Sequence, residues 1–166
     1  MQAIHTGAKR LTLLPNRKGV LVIATADDKS QLERQTFRFA LVVEESHLLR
    51  NSVVEFLKTQ DWFVHGIVGA EQALTILAYI PYRLILVDSE LPGICGMDFV
   101  RILNSSIDWR WIQLVLLTNS RSTTLTSEAA ECGAVLVEKS KWREELSRFL
   151  ADFDEESVES CLVDRV

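Results

Sequence analysis

From residue 37 onward the chain alternates between two hydrophobic rhythms. Short unbroken apolar runs mark strands buried on both faces, and stretches whose apolar residues recur every three or four positions mark helices lying on a sheet. Residues 39–43 form the first such run, which ends at Glu44 and Glu45. Ser46 is placed to cap a helix on which Leu49, Val53, Phe56 and Leu57 share one face. Residues 63–68 predict a second strand and residues 70–80 a second helix, closed by Pro81. The run Leu84-Ile85-Leu86-Val87 stops at Asp88, after which Pro92, Gly93 and Gly96 turn the chain away. The pattern then predicts a helix over 97–104, a strand over 111–117 ending at Thr118, and a more polar helix over 124–132 stopped by Gly133. A strand over 134–138 ends at Lys139, and a last helix runs from about 141 to 153.

A strand followed by a helix, five times over, forces parallel pairing through right-handed crossovers. The expected fold is therefore a doubly wound (βα)5 parallel sheet with helices on both faces, an αβα sandwich of three layers. We expect this domain to span residues 37–153, with residues 1–36 as an N-terminal extension and 154–166 as an acidic C-terminal tail. In the extension, residues 11–14 and 20–24 read as two strands around a Pro15–Gly19 turn, or as one strand with a frayed lead-in. Residues 27–36 are polar and read as a short helix or a linker.

The 166 residues are 48% hydrophobic and 25% charged, the balance of a globular chain. Net charge is -5, which argues against nucleic acid or an anionic membrane as partner. The charge is uneven: residues 1–38 carry seven Lys/Arg against three acids, and residues 151–166 one Arg against six acids. Three cysteines, none paired as C-x-x-C, read as reduced thiols. Neither a membrane-length apolar run nor a signal peptide is present, so a cytoplasmic location is expected. His47 and His65 read as ordinary surface or packing histidines, and Trp142, opening the last helix, as an exposed anchor.

The chemistry lies in what stands at the carboxyl ends of the strands. Glu44 and Glu45 follow the first, Asp88 the third, Thr118 the fourth and Lys139 the fifth. In a doubly wound sheet these ends share one rim. Three carboxylates there repel one another, and one lysine does not neutralise them. A hard divalent cation would, and Mg²⁺ suits a partly hydrated oxygen site. Lys139 and Thr118 are then left to hold an anionic group. That set suits phosphoryl transfer to Asp88, a carboxylate nucleophile forming an acyl phosphate.

Residues 37–153 resemble the receiver domain of two-component response regulators. The resemblance rests on the acidic pair, on Asp88, Pro92 and Gly96 spaced four apart, and on Thr118 and Lys139, thirty and fifty-one residues beyond Asp88. It implies the strand order 2-1-3-4-5 and makes Asp88 the phosphoacceptor. It also implies that Glu44, Glu45, Asp88 and the Glu90 backbone carbonyl hold Mg²⁺, and that Thr118 and Lys139 contact the phosphoryl group. The sequence departs from the family in four places. Both acids are glutamate, not aspartate, which is expected to weaken or rearrange the Mg²⁺ site. Leu136 stands where the family carries an aromatic switch residue, Asn119 where it carries a small one, and Ser140 where it carries proline.

The leading expectation is a receiver that takes a phosphoryl group onto Asp88 from a histidine kinase or phosphotransfer protein. Its output would be altered binding to a partner, or homodimerisation through the fourth helix, fifth strand and fifth helix, with no role as an enzyme beyond self-phosphorylation and slow autodephosphorylation. The alternative is a degenerate receiver working as an interaction module without phosphorylation. A phosphatase with an aspartate nucleophile is disfavoured, because its motif stands near the chain start and needs a second aspartate.

Overall fold

The computed structural model describes the backbone at residues 12–15, 21–24 and 34–163, and the side chains of residues 38–152. Five parallel strands form one sheet: β4 (Phe39–Val43), β5 (Phe63–Ile67), β6 (Tyr82–Asp88), β7 (Gln113–Thr118) and β8 (Ala134–Glu138). Their spatial order is β5-β4-β6-β7-β8, which within the domain is 2-1-3-4-5. The helices between and after them are α1 (His47–Lys58), α2 (Ala70–Leu77), α3 (Gly96–Ser105), α4 (Thr123–Glu131) and α5 (Trp142–Val163). This is the doubly wound fold that the alternation of rhythms predicts.

Period-two alternation divides the core in two. Leu41, Val43, Ile85, Val87, Leu114 and Leu116 pack with Ala73 and Leu77 of α2, Phe99 and Leu103 of α3 and Ala129 of α4. The interleaved residues Val42, Leu84, Leu86, Val115, Leu117 and Val137 pack with Val53 and Leu57 of α1 and Leu146 and Leu150 of α5. Fully burying each Val, Leu, Ile or Phe among them is worth ~1.5–3 kcal/mol, which makes these two layers the main stabilising term.

Several expected boundaries move for local reasons. Ser46 caps α1 as expected, accepting from the Leu49 N–H. The strand expected from residue 111 starts at Gln113. Trp111 is held in the preceding turn, where its indole N–H donates to the Asp108 carbonyl at 2.6 Å. The last helix does not stop near 153. It continues to Val163, so the backbone of the segment expected as an acidic tail is helical almost throughout. Before the parallel sheet, β1 (Thr12–Pro15), β2 (Leu21–Ala24) and β3 (Arg34–Phe37) form a separate antiparallel sheet in that order. Residues 34–36, expected as helix or linker, are thus strand. The turn expected at 15–19 lies largely outside the described residues. Trp142 is not an exposed anchor either: its ring meets Phe56 of α1 edge-on at 5.5 Å, with the Arg143 guanidinium 4.7 Å over it. Its large apolar face is better covered than left in water.

Candidate functional site

Strand register puts the site together. Val43 of β4 pairs with Val87 of β6, so Glu44 and Asp88 stand side by side, one residue on. Asp88 pairs with Leu117, and Thr118 pairs with Glu138, which sets Lys139 just beyond the same rim. Alternation then sorts the side chains by face. Glu44 follows the parity of Val42, Asp88 that of Leu86 and Lys139 that of Val137, all on the side of α1 and α5. Thr118 follows the parity of Leu116, on the side of α4.

The side chains meet as that parity requires. The Lys139 ammonium lies 2.7 Å from Asp88 Oδ2 and 3.1 Å from Glu44 Oε2. Both carboxylates are buried, Glu44 at 1% and Asp88 at 3% exposure. Glu44 Oε1 accepts the Ser46 N–H at 2.9 Å, and Asp88 Oδ1 accepts the Glu90 N–H at 2.9 Å. Glu44 Oε2 has the Lys139 ammonium as its ion-pair partner and no other polar partner. Burial raises the Glu44 pKa above its usual value, and the Ser46 N–H and Lys139 pull it back only in part. Burial also lowers the Lys139 pKa, but the contacts with Asp88 and Glu44 together outweigh it and hold the ammonium above its usual value.

Glu45 does not join this cluster. It stands one residue past the buried position and is exposed, and its backbone carbonyl accepts from Arg50 at 3.0 Å. The same guanidinium also binds the Glu44 carbonyl at 2.6 Å. The expected three-carboxylate set is therefore not formed: among the described residues, no three His, Cys, Asp or Glu side chains are placed to hold a metal. Two buried carboxylates remain, both facing the Lys139 ammonium. Mg²⁺ commonly keeps several waters and takes only one or two protein carboxylates, so Glu44 and Asp88 fit a sparsely ligated ion of that kind. His47 and His65 are engaged elsewhere, with Asn51 and with the Tyr82 hydroxyl.

Thr118 sits on the rim but turns to its own loop. Its hydroxyl donates to the Ser120 carbonyl at 2.9 Å and accepts the Ser120 N–H at 3.3 Å. Asn119 donates to the Glu90 carboxylate at 2.9 Å, joining the loop after β7 to the loop after β6. No residue pattern marks that link in advance, because its two ends are exposed polar residues 29 apart. The need for Gly96, in contrast, is fully physical. A Cβ there would overlap the Asp88 carbonyl oxygen and lie 2.8 Å from its carbon. Gly93 adopts φ +76, the left-handed region, and the Glu71 carboxylate accepts the next N–H, that of Ile94, at 3.1 Å. Leu136 is buried in the sheet, and no peptide bond among the described residues is cis.

This geometry has counterparts among known proteins. The family model of the response regulator receiver domain matches residues 40–151. The two-component response regulator PhoP of Pseudomonas aeruginosa is 37% identical over 65 residues, which are 39% of this chain and 29% of that protein. The chain thus aligns with less than a third of that relative's length. A response regulator receiver protein from Pseudomonas putida superposes with a TM-score of 0.65 at 19% identity, covering 71% of this chain and 98% of that one. The chemotaxis response regulator CheY4 of Vibrio cholerae does so at 0.60 and 20% identity, covering 68% and 98%. Identities this low speak for the fold, while the family match covers more than half of the sequence. The chain belongs to the receiver domains of two-component response regulators.

Proposed function

We propose that Asp88 accepts a phosphoryl group from a phosphohistidine on a histidine kinase or phosphotransfer protein. One observation carries this reading: a single ammonium, Lys139, bridges two buried carboxylates at the adjacent ends of β4 and the central strand β6. An Asp88 oxygen attacks phosphorus, the P–N bond breaks, and its electron pair leaves with the imidazole nitrogen, which keeps or takes a proton. The product is an acyl phosphate. Lys139 then stays with the transferred group, where its raised pKa keeps it cationic. Thr118 turns its hydroxyl from Ser120 to a phosphoryl oxygen. Glu44, Asp88 and the Glu90 carbonyl would hold Mg²⁺, with the exposed Glu45 outside the set. When bound, the ion offsets charge on the transferring oxygens.

The receiver unit in this reading is residues 37–153, preceded by the extension that carries β1–β3. Receiver domains are signalling modules that meet histidine kinases or phosphotransfer proteins, and are not enzymes in general. The output here is a change in partner binding or pairing of two copies through α4, β8 and α5, where Val135 leaves apolar surface exposed. Nucleic acid plays no part in it.

The test is intact mass after treatment with phosphoramidate and Mg²⁺. The protein gains one phosphoryl group and Asp88→Asn gains none. An unmodified wild-type protein overturns the reading. A second reading, an interaction module that is never phosphorylated, draws support from Glu45 lying outside the site and from Lys139 already answering both carboxylates. Mg²⁺ titration by tryptophan fluorescence separates the two, since only the first requires saturable, Asp88-dependent binding.

A further inference from the structure

The loop that carries Thr118 is held at a second point. β8 is an edge strand of the parallel sheet. An edge strand presents unpaired C=O and N–H groups unless something covers them. On β8, the Leu136 carbonyl accepts from Arg121 Nη2 at 3.1 Å, and the Glu138 N–H donates to Glu145 Oε2 at 3.0 Å. Leu136 and Glu138 are two apart, so these groups point to the same side of the strand. The two side chains are themselves joined: Arg121 Nη2 lies 2.5 Å from the same Glu145 oxygen. An arginine from the loop after β7 and a glutamate from α5 thus replace a neighbouring strand at this edge.

Arg121 is three residues after Thr118, whose hydroxyl is bonded to Ser120, next to Arg121. The loop is pinned at both ends, by the threonine hydroxyl inside and by the guanidinium outside. Leu136 has no ring that could carry a signal outward, yet its carbonyl is one of the two groups that Arg121 holds.

We propose that Arg121 is a positioning residue that couples the Thr118 hydroxyl to the edge of β8. With the hydroxyl on Ser120, the Arg121–Glu145 latch is closed. Drawing the hydroxyl toward Asp88 releases Ser120, shifts Arg121 and uncovers the Leu136 carbonyl and the Glu138 N–H. This rests on the proposed role of Thr118, but the coupling between Thr118 and β8 is testable without any phosphoryl group.

The readout is hydrogen exchange of the Glu138 amide, followed by NMR in the full chain. Thr118→Val keeps the shape and deletes the hydroxyl, and speeds exchange about two- to tenfold, the worth of one hydrogen bond. Arg121→Ala gives the same or a larger rise, and adding Thr118→Val to it adds nothing. Arg121→Lys, which keeps charge and donors, restores part of the protection. A Glu138 amide that Arg121→Ala exposes but Thr118→Val leaves unchanged overturns the coupling. So does a rise in the double variant equal to the sum of the two. Phosphoramidate treatment is the separate arm. No mass gain overturns the function proposed above and leaves the coupling standing, whereas full modification of Asp88 with unchanged Glu138 exchange overturns the coupling alone.

Discussion

Two charged groups stand on the same sheet rim and differ in how much water reaches them. In the inner one, Glu44, Lys139 and Asp88 have side chains 1%, 14% and 5% exposed. In the outer one, the Arg121 and Glu145 side chains are 43% and 17% exposed. The contacts are alike in kind and distance. What differs is the cost of breaking them: a buried charge left alone keeps its full desolvation penalty, while a half-wet one regains solvent. The inner cluster is therefore suited to hold charge for chemistry, and the outer latch, cheap to open, is suited to move.

The largest effect should come from emptying the inner cluster of its cation. Lys139→Met leaves two carboxylates buried without a counter-charge, and should cost ~3–5 kcal/mol of unfolding free energy at neutral pH. Urea denaturation measures it, and added Mg²⁺ should return part of the loss. A cost no greater than that of an exposed ion pair would erase the contrast between the two groups.

Next comes the difference between two neighbouring glutamates. Glu44→Gln should weaken Mg²⁺ binding by at least ~10-fold, as removal of supporting groups around a metal already does. Glu45→Gln should leave it within about twofold, because Glu45 is exposed. Equal effects in a fluorescence titration would put Glu45 back at the ion.

A smaller effect appears in pH dependence. The Glu44 pKa in the folded protein is raised above 4.5. Between the two values the folded state holds a proton that the unfolded chain has released, so this contribution is present below about pH 4.5 and lost as pH climbs through the raised value. Relative to Glu44→Gln, the wild type should thus lose stability on going from acid toward neutral pH. A rising difference instead would mean that Lys139 more than offsets the burial of Glu44. Lys139, whose pKa is raised above 10.5, adds no pH dependence until alkaline pH. The smallest effect is Arg148→Ala on α5. That residue's pair with Glu144 is 68% and 74% exposed, and its loss should cost under ~0.5 kcal/mol by thermal unfolding.

The fold was legible because each element declares itself locally. The run Leu84–Val87, short and followed by the turn residues Pro92 and Gly93, reads as a strand buried on both faces, and the helices between such runs force parallel order. The site was legible as far as strand ends reach: Asp88, Lys139, Glu44 and Thr118 all stand on the rim that the pattern predicts. Glu45 stands apart from the Lys139 cluster because adjacency in sequence is not adjacency in space, and a residue one past the buried position meets solvent. Trp142 was misjudged because its partner, Phe56, is far away in the chain.

The order of apolar and polar residues therefore decided on its own that the part of the chain from residue 37 onward builds five parallel strands alternating with five helices, with acid, hydroxyl and amine at the strand tips, since periodicity and strand length are properties of neighbours. Which glutamate is buried, which oxygen of Glu44 meets Lys139, and how Arg121 and Glu145 close the edge of β8 were decided only by tertiary structure. Those outcomes depend on register between strands and on who excludes water from whom, and neither is written in any single stretch of sequence.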